Sequence, residues 1–282
     1  MKILNRIGEK YITNQGYEVE IVEYFNNNNC TVRFVYNNVL NYNIKYNNLI
    51  RGKVQNYYHK SIYGVGYIGG KSYNSNKNKK AFLTWVGVIK RCYDKKSQET
   101  NPTYKGCSVD KRWHNFQVFA EWFYENWKPY MKGWHLDKDI LFKGNRIYSS
   151  ETCGFVPREI NLLVGNSQST NNGLPIGVSK NGGKFICAVS INNKRVCFGS
   201  YSTPKEAFYV YKAEKEKHIK KVANEWKGQI TEQIYEALIN YRVEIPLECD
   251  RREEDLLEWV ENKKGLSIPM YSEDGFEGEI ER

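Results

Sequence analysis

The sequence predicts a modular α+β protein. Three observations carry this: period-two alternation in short runs, apolar stripes at helical spacing between those runs, and glycine- and asparagine-rich breaks that separate them. The 282 residues are 40% hydrophobic, 26% charged and 15% aromatic, enough apolar material for two or three small cores. The expected order is a small N-terminal β barrel, a central ββα block with flanking helices, a three-stranded sheet plus helix, and an acidic helical tail.

Residues 1–58 are the barrel-like domain. YEVEIVEYF and CTVRFVY alternate apolar and polar residues, and Asn26 to Asn29 and Asn37-Asn38 mark the turns. In 59–80, Gly64, Gly66, Gly69 and Gly70 interrupt any regular element and NSNKNKK adds positive charge, so this stretch reads as a flexible basic linker. Lys71, Lys77, Lys79 and Lys80, mixed with Tyr73, form either a disordered arm that tightens on a phosphate backbone or a simple connector.

Residues 81–170 open with two helices. KAFLTWVGVIKRCY (80–93) places Phe82, Trp85, Val86, Val88 and Ile89 on one face, and HNFQVFAEWFYENW (114–127) buries Phe116, Phe119, Ala120 and Phe123. Short strands, polar turns and one short helix follow in 133–166. Residues 171–228 hold three strands, LPIGVSK, KFICAVSIN and KRVCFGSYS, joined at Asn181-Gly182-Gly183 and Asn192-Asn193, both strong hairpin signals. Thr203 is then the N-cap, Pro204 the first residue and Glu206 the third of a helix that runs to about Ala223. The tail, 229–282, continues in helical pattern over 231–240 and again around 253–261.

Charge is distributed unevenly. The net is +10, but 231–282 hold 15 acids and 6 bases, which leaves 36 bases and 17 acids in 1–230. A surface that positive attracts a polyanion through its long-range field and counterion release, and the aromatic content agrees with a nucleic-acid partner. The tail, at −9, suits a surface for a host or phage protein, a DNA mimic, or intramolecular screening of the basic region. The seven cysteines are odd in number and none forms a C-x-x-C clamp, so no zinc is expected and the thiols read as reduced and mostly buried. No apolar run is long enough to span a membrane, and charges fall where a signal peptide needs its apolar stretch. A cytoplasmic protein without a membrane partner is the expectation.

Gly177-Val178, Gly183-Lys184-Phe185, Phe198-Gly199-Ser200-Tyr201, Thr203, Glu206-Ala207 and Tyr211 together resemble the apetala-two (ethylene-response-factor) DNA-binding domain in its phage and bacterial form. The resemblance implies a three-stranded sheet laid in the major groove of double-stranded DNA, with a helix bracing its other face. Alternation in KFICAVSIN agrees: Phe185, Cys187, Val189 and Ile191 face the helix and Lys184, Ile186, Ala188, Ser190 and Asn192 face away. On the third strand Val196 and Phe198 point inward, leaving Arg195 and Cys197 on the open face. The candidate DNA contacts are Ser179, Lys180, Asn181, Lys184, Asn192, Lys194 and Arg195. Arg195 is the only arginine among them, so phosphate contacts should outweigh base readout.

WHLDKDIL, GNRIYSSETCGFVP and REINLL, in 134–166, resemble the degenerate HNH-type homing endonucleases of phage genomes. The small sheet before them resembles the Src-homology-three-like barrels that precede such blocks. What the resemblance implies is a ββα module that holds one Mg²⁺ or Mn²⁺ against the scissile phosphate. It puts Asp137 at the acidic metal-ligand position, Asn145 in the intervening loop and Asn161 on the closing helix. The general-base position falls on Lys138, and His135, on the same strand face as Asp137, is the other candidate base. Asp139, two residues after Asp137, could join it as a second carboxylate on a hard cation. The expected function is therefore a Mg²⁺-dependent DNA endonuclease of homing type, or a catalytically inactive DNA-binding or protein-interaction factor that interferes with a host nucleic-acid machine.

Overall fold

The computed structural model describes residues 6–165, 174–192 and 194–244. The chain divides into two compact units, one from Met1–Lys132 and Phe142–Gly154, the other from Gly133–Leu141 and Phe155–Arg282.

The first unit begins with an antiparallel meander, β1 (Lys10–Ile12), β2 (Glu18–Asn26), β3 (Asn29–Phe34) and β4 (Leu40–Ile44), in that spatial order. Alternation sends Val19, Ile21, Cys30, Val32 and Phe34 into a fully buried layer, which helix α1 (Tyr46–Ile50) and the loop after it cover with Leu49 and Val54. The expected barrel does not close. β1 is three residues long and β1 and β4 remain edges, because Leu49 and Val54 cover the apolar face that a barrel would bury by curling.

The glycine-rich stretch after it is docked, and the expected disordered arm is corrected accordingly. Gln117 is the clamp: its Nε2 donates to the carbonyls of Ile68 (2.8 Å) and Tyr73 (3.0 Å), and its Oε1 accepts from the Tyr73 amide (2.9 Å). Tyr67 forms a bridge with Asn115, and Tyr73 stacks on Tyr124 with ring centroids 5.8 Å apart. Gly69 makes this approach possible. Its φ is +75°, and a Cβ there would fall 1.8 Å from Asn115 Oδ1. Lys77 donates its amide to Asn74, Lys79 and Lys80 already belong to helix α2 (Lys79–Tyr93), and the ammonium groups of Lys71 and Lys80 lie over the rings of Tyr57 and Trp127. Backbone groups that water would satisfy in a free arm are satisfied here by one side-chain amide.

Helix α2 and the short helix α3 (Lys95–Thr100) are followed by β5 (Ser108–Val109) and helix α4 (Phe116–Asn126), whose N-cap Asn115 accepts from the Gln117 amide. Trp85, Trp113, Phe116, Phe119 and Phe123 are fully buried among these elements, and Trp85 Nε1 donates to the Trp113 carbonyl at 2.6 Å. The chain then enters the second unit with β6 (His135–Asp137), returns to pair β7 (Ile147–Tyr148) in parallel with β5, and crosses back with β8 (Gly154–Val156), the partner of β6.

Helix α5 (Arg158–Val164) follows β8, and β9 (Val178–Asn181), β10 (Lys184–Ile191) and β11 (Lys194–Tyr201) form an antiparallel sheet ordered β11-β10-β9. The long helix α6 (Pro204–Glu225) starts as the sequence indicates: Thr203 Oγ1 accepts from the Glu206 amide and Glu206 Oε2 accepts from the Ser202 amide. Its first half packs Ala207, Phe208 and Tyr211 on Val178, Cys187 and Val189 of the sheet. Its second half packs Ile219, Val222 and Ala223 on Val156, Ile160 and Leu163, joined by Ile234 and Leu238 of helix α7 (Glu232–Ile239). The helix expected around 253–261 lies outside the described residues.

Replacing Gln117 with Ala removes three hydrogen bonds from the strap over 68–73, at a net of about 1 kcal/mol each. The expected outcome is a loss of roughly 2–4 kcal/mol in denaturant titration, with faster hydrogen exchange at the Tyr73 amide than at the α2 amides.

Candidate functional site

Two places in the second unit carry the predicted site residues. The first is the face of the β9–β10–β11 sheet opposite α6. Register assigns faces directly, because residues paired across strands share one. Asn181 pairs with Lys184, Ser179 with Ile186, Ile186 with Ser200, Ala188 with Cys197 and Ser190 with Arg195, all on the open side. Arg195 Nη2 donates to Ser179 Oγ at 2.8 Å. Those residues sit on β11 and β9, the two outer strands, so the guanidinium reaches across the open face of β10.

The register corrects part of the expected contact set. Lys180 pairs with Phe185 and Lys194 with Ile191, which puts both lysines on the α6 side, exposed at the ends of the sheet. Asn192 is exposed in the β10–β11 turn with φ +50°. Ser179, Asn181, Lys184 and Arg195 remain as the polar set of the open face. Ser190 and Ser200 join them. Ser200 escapes a plain period-two count because a bulge between Ile186 and Ala188 shifts the register of β11, and Gly199, at φ +121°, is its sequence signal. Among the described residues Cys197 is the exposed cysteine; Cys30, Cys92, Cys107, Cys153 and Cys187 are buried.

The second place is the β6–β8 pair with α5. Strand alternation buries Leu136 and leaves His135 exposed, and α5 brings Asn161 to it, with Nδ2 of Asn161 3.2 Å from Nδ1 of His135. An amide N–H donated to Nδ1 leaves the proton of the neutral ring on Nε2. In that tautomer the ring has no spare lone pair with which to take a proton from water. Turned by 180°, the amide presents Oδ1 to an Nδ1–H and frees Nε2 as a base. Asn161 thus sets which nitrogen of His135 can do chemistry.

Asp137 has a different task. Its Oδ1 accepts from the amides of Asp139 and Ile140, both at 2.7 Å, closing the turn that carries Ile140 into the core. Burial pushes its carboxyl above the ordinary value, and the two amides only partly offset this. Lys138 is 8% exposed, with Nζ 2.5 Å from Asp139 Oδ1, so it is the interior partner of that carboxylate and not a group open to a water molecule. Asn145 belongs to the first unit, where its side chain closes a turn by bonding both the amide and the carbonyl of Ile147.

Among the described residues no three His, Cys, Asp or Glu side chains come together as a metal-holding group. Asp137 spends one oxygen on the turn and Asp139 spends one on the Lys138 ammonium group. Among the described residues no helix is long and apolar enough to cross a membrane. No family model, no curated protein and no solved structure matches the chain.

The Asp137 carboxyl supplies a pH test. With its folded pKa above the unfolded value, the folded state binds more protons between the two, so stability is highest below the unfolded pKa and falls as pH rises towards the folded one. Asp137→Asn keeps an acceptor for both amides and removes the buried charge. It is expected to match or exceed wild-type stability at pH 7 and to lose any advantage below about pH 4, near the unfolded value. Asp137→Ala, which leaves both amides without a partner, is expected to cost about 1–3 kcal/mol. Thermal melts across pH 3–7 distinguish these outcomes.

Proposed function

We propose that the chain binds double-stranded DNA through the open face of the β9–β10–β11 sheet. The observation that carries this reading is the arrangement of that face: Ser179, Asn181, Lys184, Ser190, Arg195 and Ser200 lie on one side of a sheet whose other side is filled by α6. Such a surface offers hydroxyl and amide groups to phosphates and bases, two cationic side chains, and no carboxylate from its own strands. Arg195, held in position by Ser179, is the group suited to a bidentate guanine contact. The positive charge of 1–230 supplies the long-range attraction.

The juxtaposition of His135 and Asn161 favours a second reading, phosphodiester cleavage of the bound DNA by a phage-type endonuclease, with Mg²⁺ or Mn²⁺ arriving on the phosphates. In it His135 is the proton-handling group and Asn161 its positioning partner. The rival reading keeps the same DNA-binding face and no cleavage, with the pair acting only to tie β6 to α5.

Fluorescence anisotropy with a labelled duplex, repeated over a range of salt, tests the binding. Affinity should fall steeply with ionic strength, and Lys184→Ala should reduce the salt slope by about 1 while Arg195→Ala weakens binding by about 1–3 kcal/mol and relaxes sequence preference. An affinity independent of salt overturns the proposal. Plasmid nicking with Mg²⁺ or Mn²⁺ tests cleavage: wild type should nick, His135→Ala should lower the rate at least a hundredfold, and Asn161→Ala should shift its pH profile. Absence of nicking by wild type removes the second reading and leaves the first.

A further inference from the structure

The first unit carries a patch that neither reading uses. From residue 24 to residue 93 the chain has no aspartate or glutamate, eleven lysines and arginines, and ten tyrosines. Seventy consecutive residues without a carboxylate give this part of the unit a single sign of charge. Of the β2 carboxylates just ahead of it, Glu18 and Glu20 are paired with Lys10 and Arg33 at 2.7 Å, and the exposed Glu23 accepts from Thr31 Oγ1.

Within that stretch the aromatic rings are not all core. Tyr36, in the β3–β4 turn, is 82% exposed, the most open large hydrophobic side chain among the described residues. Its ring centroid lies 6.1 Å from that of Tyr17, and Tyr17 is fixed from behind. Its hydroxyl is 3.0 Å from His59 Nδ1, its ring packs edge-on to His59 at 5.6 Å, and it rests edge-on against the buried Phe34. Next in the chain to His59 stand Tyr58, 45% exposed and tilted on Tyr67 at 5.6 Å, and the exposed Lys60. Exposed Arg51, Lys53 and Lys71 come from the same segment.

Exposed aromatic faces supported by rigid neighbours, set among cations and without a carboxylate, are what unpaired bases stack on. We infer that the first unit binds single-stranded nucleic acid, with Tyr36 and Tyr58 stacking bases and Lys53, Lys60 and Lys71 contacting the phosphates. Stacking is indifferent to base identity, so the site accepts a strand without reading its sequence, and a fully paired duplex, whose base faces are hidden, does not engage the rings. The inference does not depend on the sheet of the second unit.

The test uses the full chain, a labelled oligothymidylate of about twenty nucleotides and a duplex of equal length, at one salt concentration. Tyr36→Ala is expected to weaken oligothymidylate binding about tenfold and to leave duplex binding within twofold of wild type, while Tyr36→Phe retains both. Tyr58→Ala should act in the same direction. Because Tyr36 is exposed, circular dichroism and melting should be unchanged. Loss of affinity for both ligands alike, or no change for the single strand in either alanine variant, overturns the inference. Lys184→Ala with Arg195→Ala serves as the converse: it should weaken duplex binding and spare the oligothymidylate. A chain that holds the single strand through Tyr36 and ignores the duplex defeats the proposed function and leaves this inference standing.

Discussion

The second unit depends on α6 being buried at both ends by different partners. Its 22 residues span about 33 Å, enough for one half to cover the sheet while the other covers α5, β8 and α7. Neither the sheet nor the β6–β8 pair could bury its apolar side alone: the sheet has three strands and the pair has strands of three residues. Sharing a helix is what makes both stable. It also holds the candidate DNA-binding face and the His135–Asn161 pair in one framework, since Cys187 and Val189 lean on the same rigid rod as Ile160.

That sharing marks where reading from sequence reaches its limit. The start of α6 was legible because Thr203, Pro204 and Glu206 act on neighbouring amides, and the three strands were legible from alternation and from their two-residue turns. The α+β class followed. The two modules look separate along the chain near residue 170, and the contact that unites them lies between residues some sixty apart, such as Ile160 and Ile219. No local pattern records it.

Site residues divide in the same way. His135 and Asn161 meet between β6 and α5, whereas Asp137 Oδ1 bonds the amides of its own turn and Lys138 Nζ lies on Asp139. That the Asp137 carboxylate closes a turn is not written in its letter; it shows only in the positions of the Asp139 and Ile140 amides. Lys138 is likewise an ordinary lysine until Asp139 and the surrounding core enclose it. The glycine-rich strap misled for a related reason: small residues and asparagines spell flexibility when alone, and here they spell close approach to Gln117 and Asn115.

Gly69 and Asn115 bear on the sequence of events as the chain assembles. Asn115 caps α4 and at the same time occupies the space a side chain at position 69 would need. The strap therefore has nothing to settle on until the first turn of that helix exists. Closing the loop between Gly69 and Asn115 costs chain entropy, and the contacts of the strap with Asn115 and Gln117 offset it.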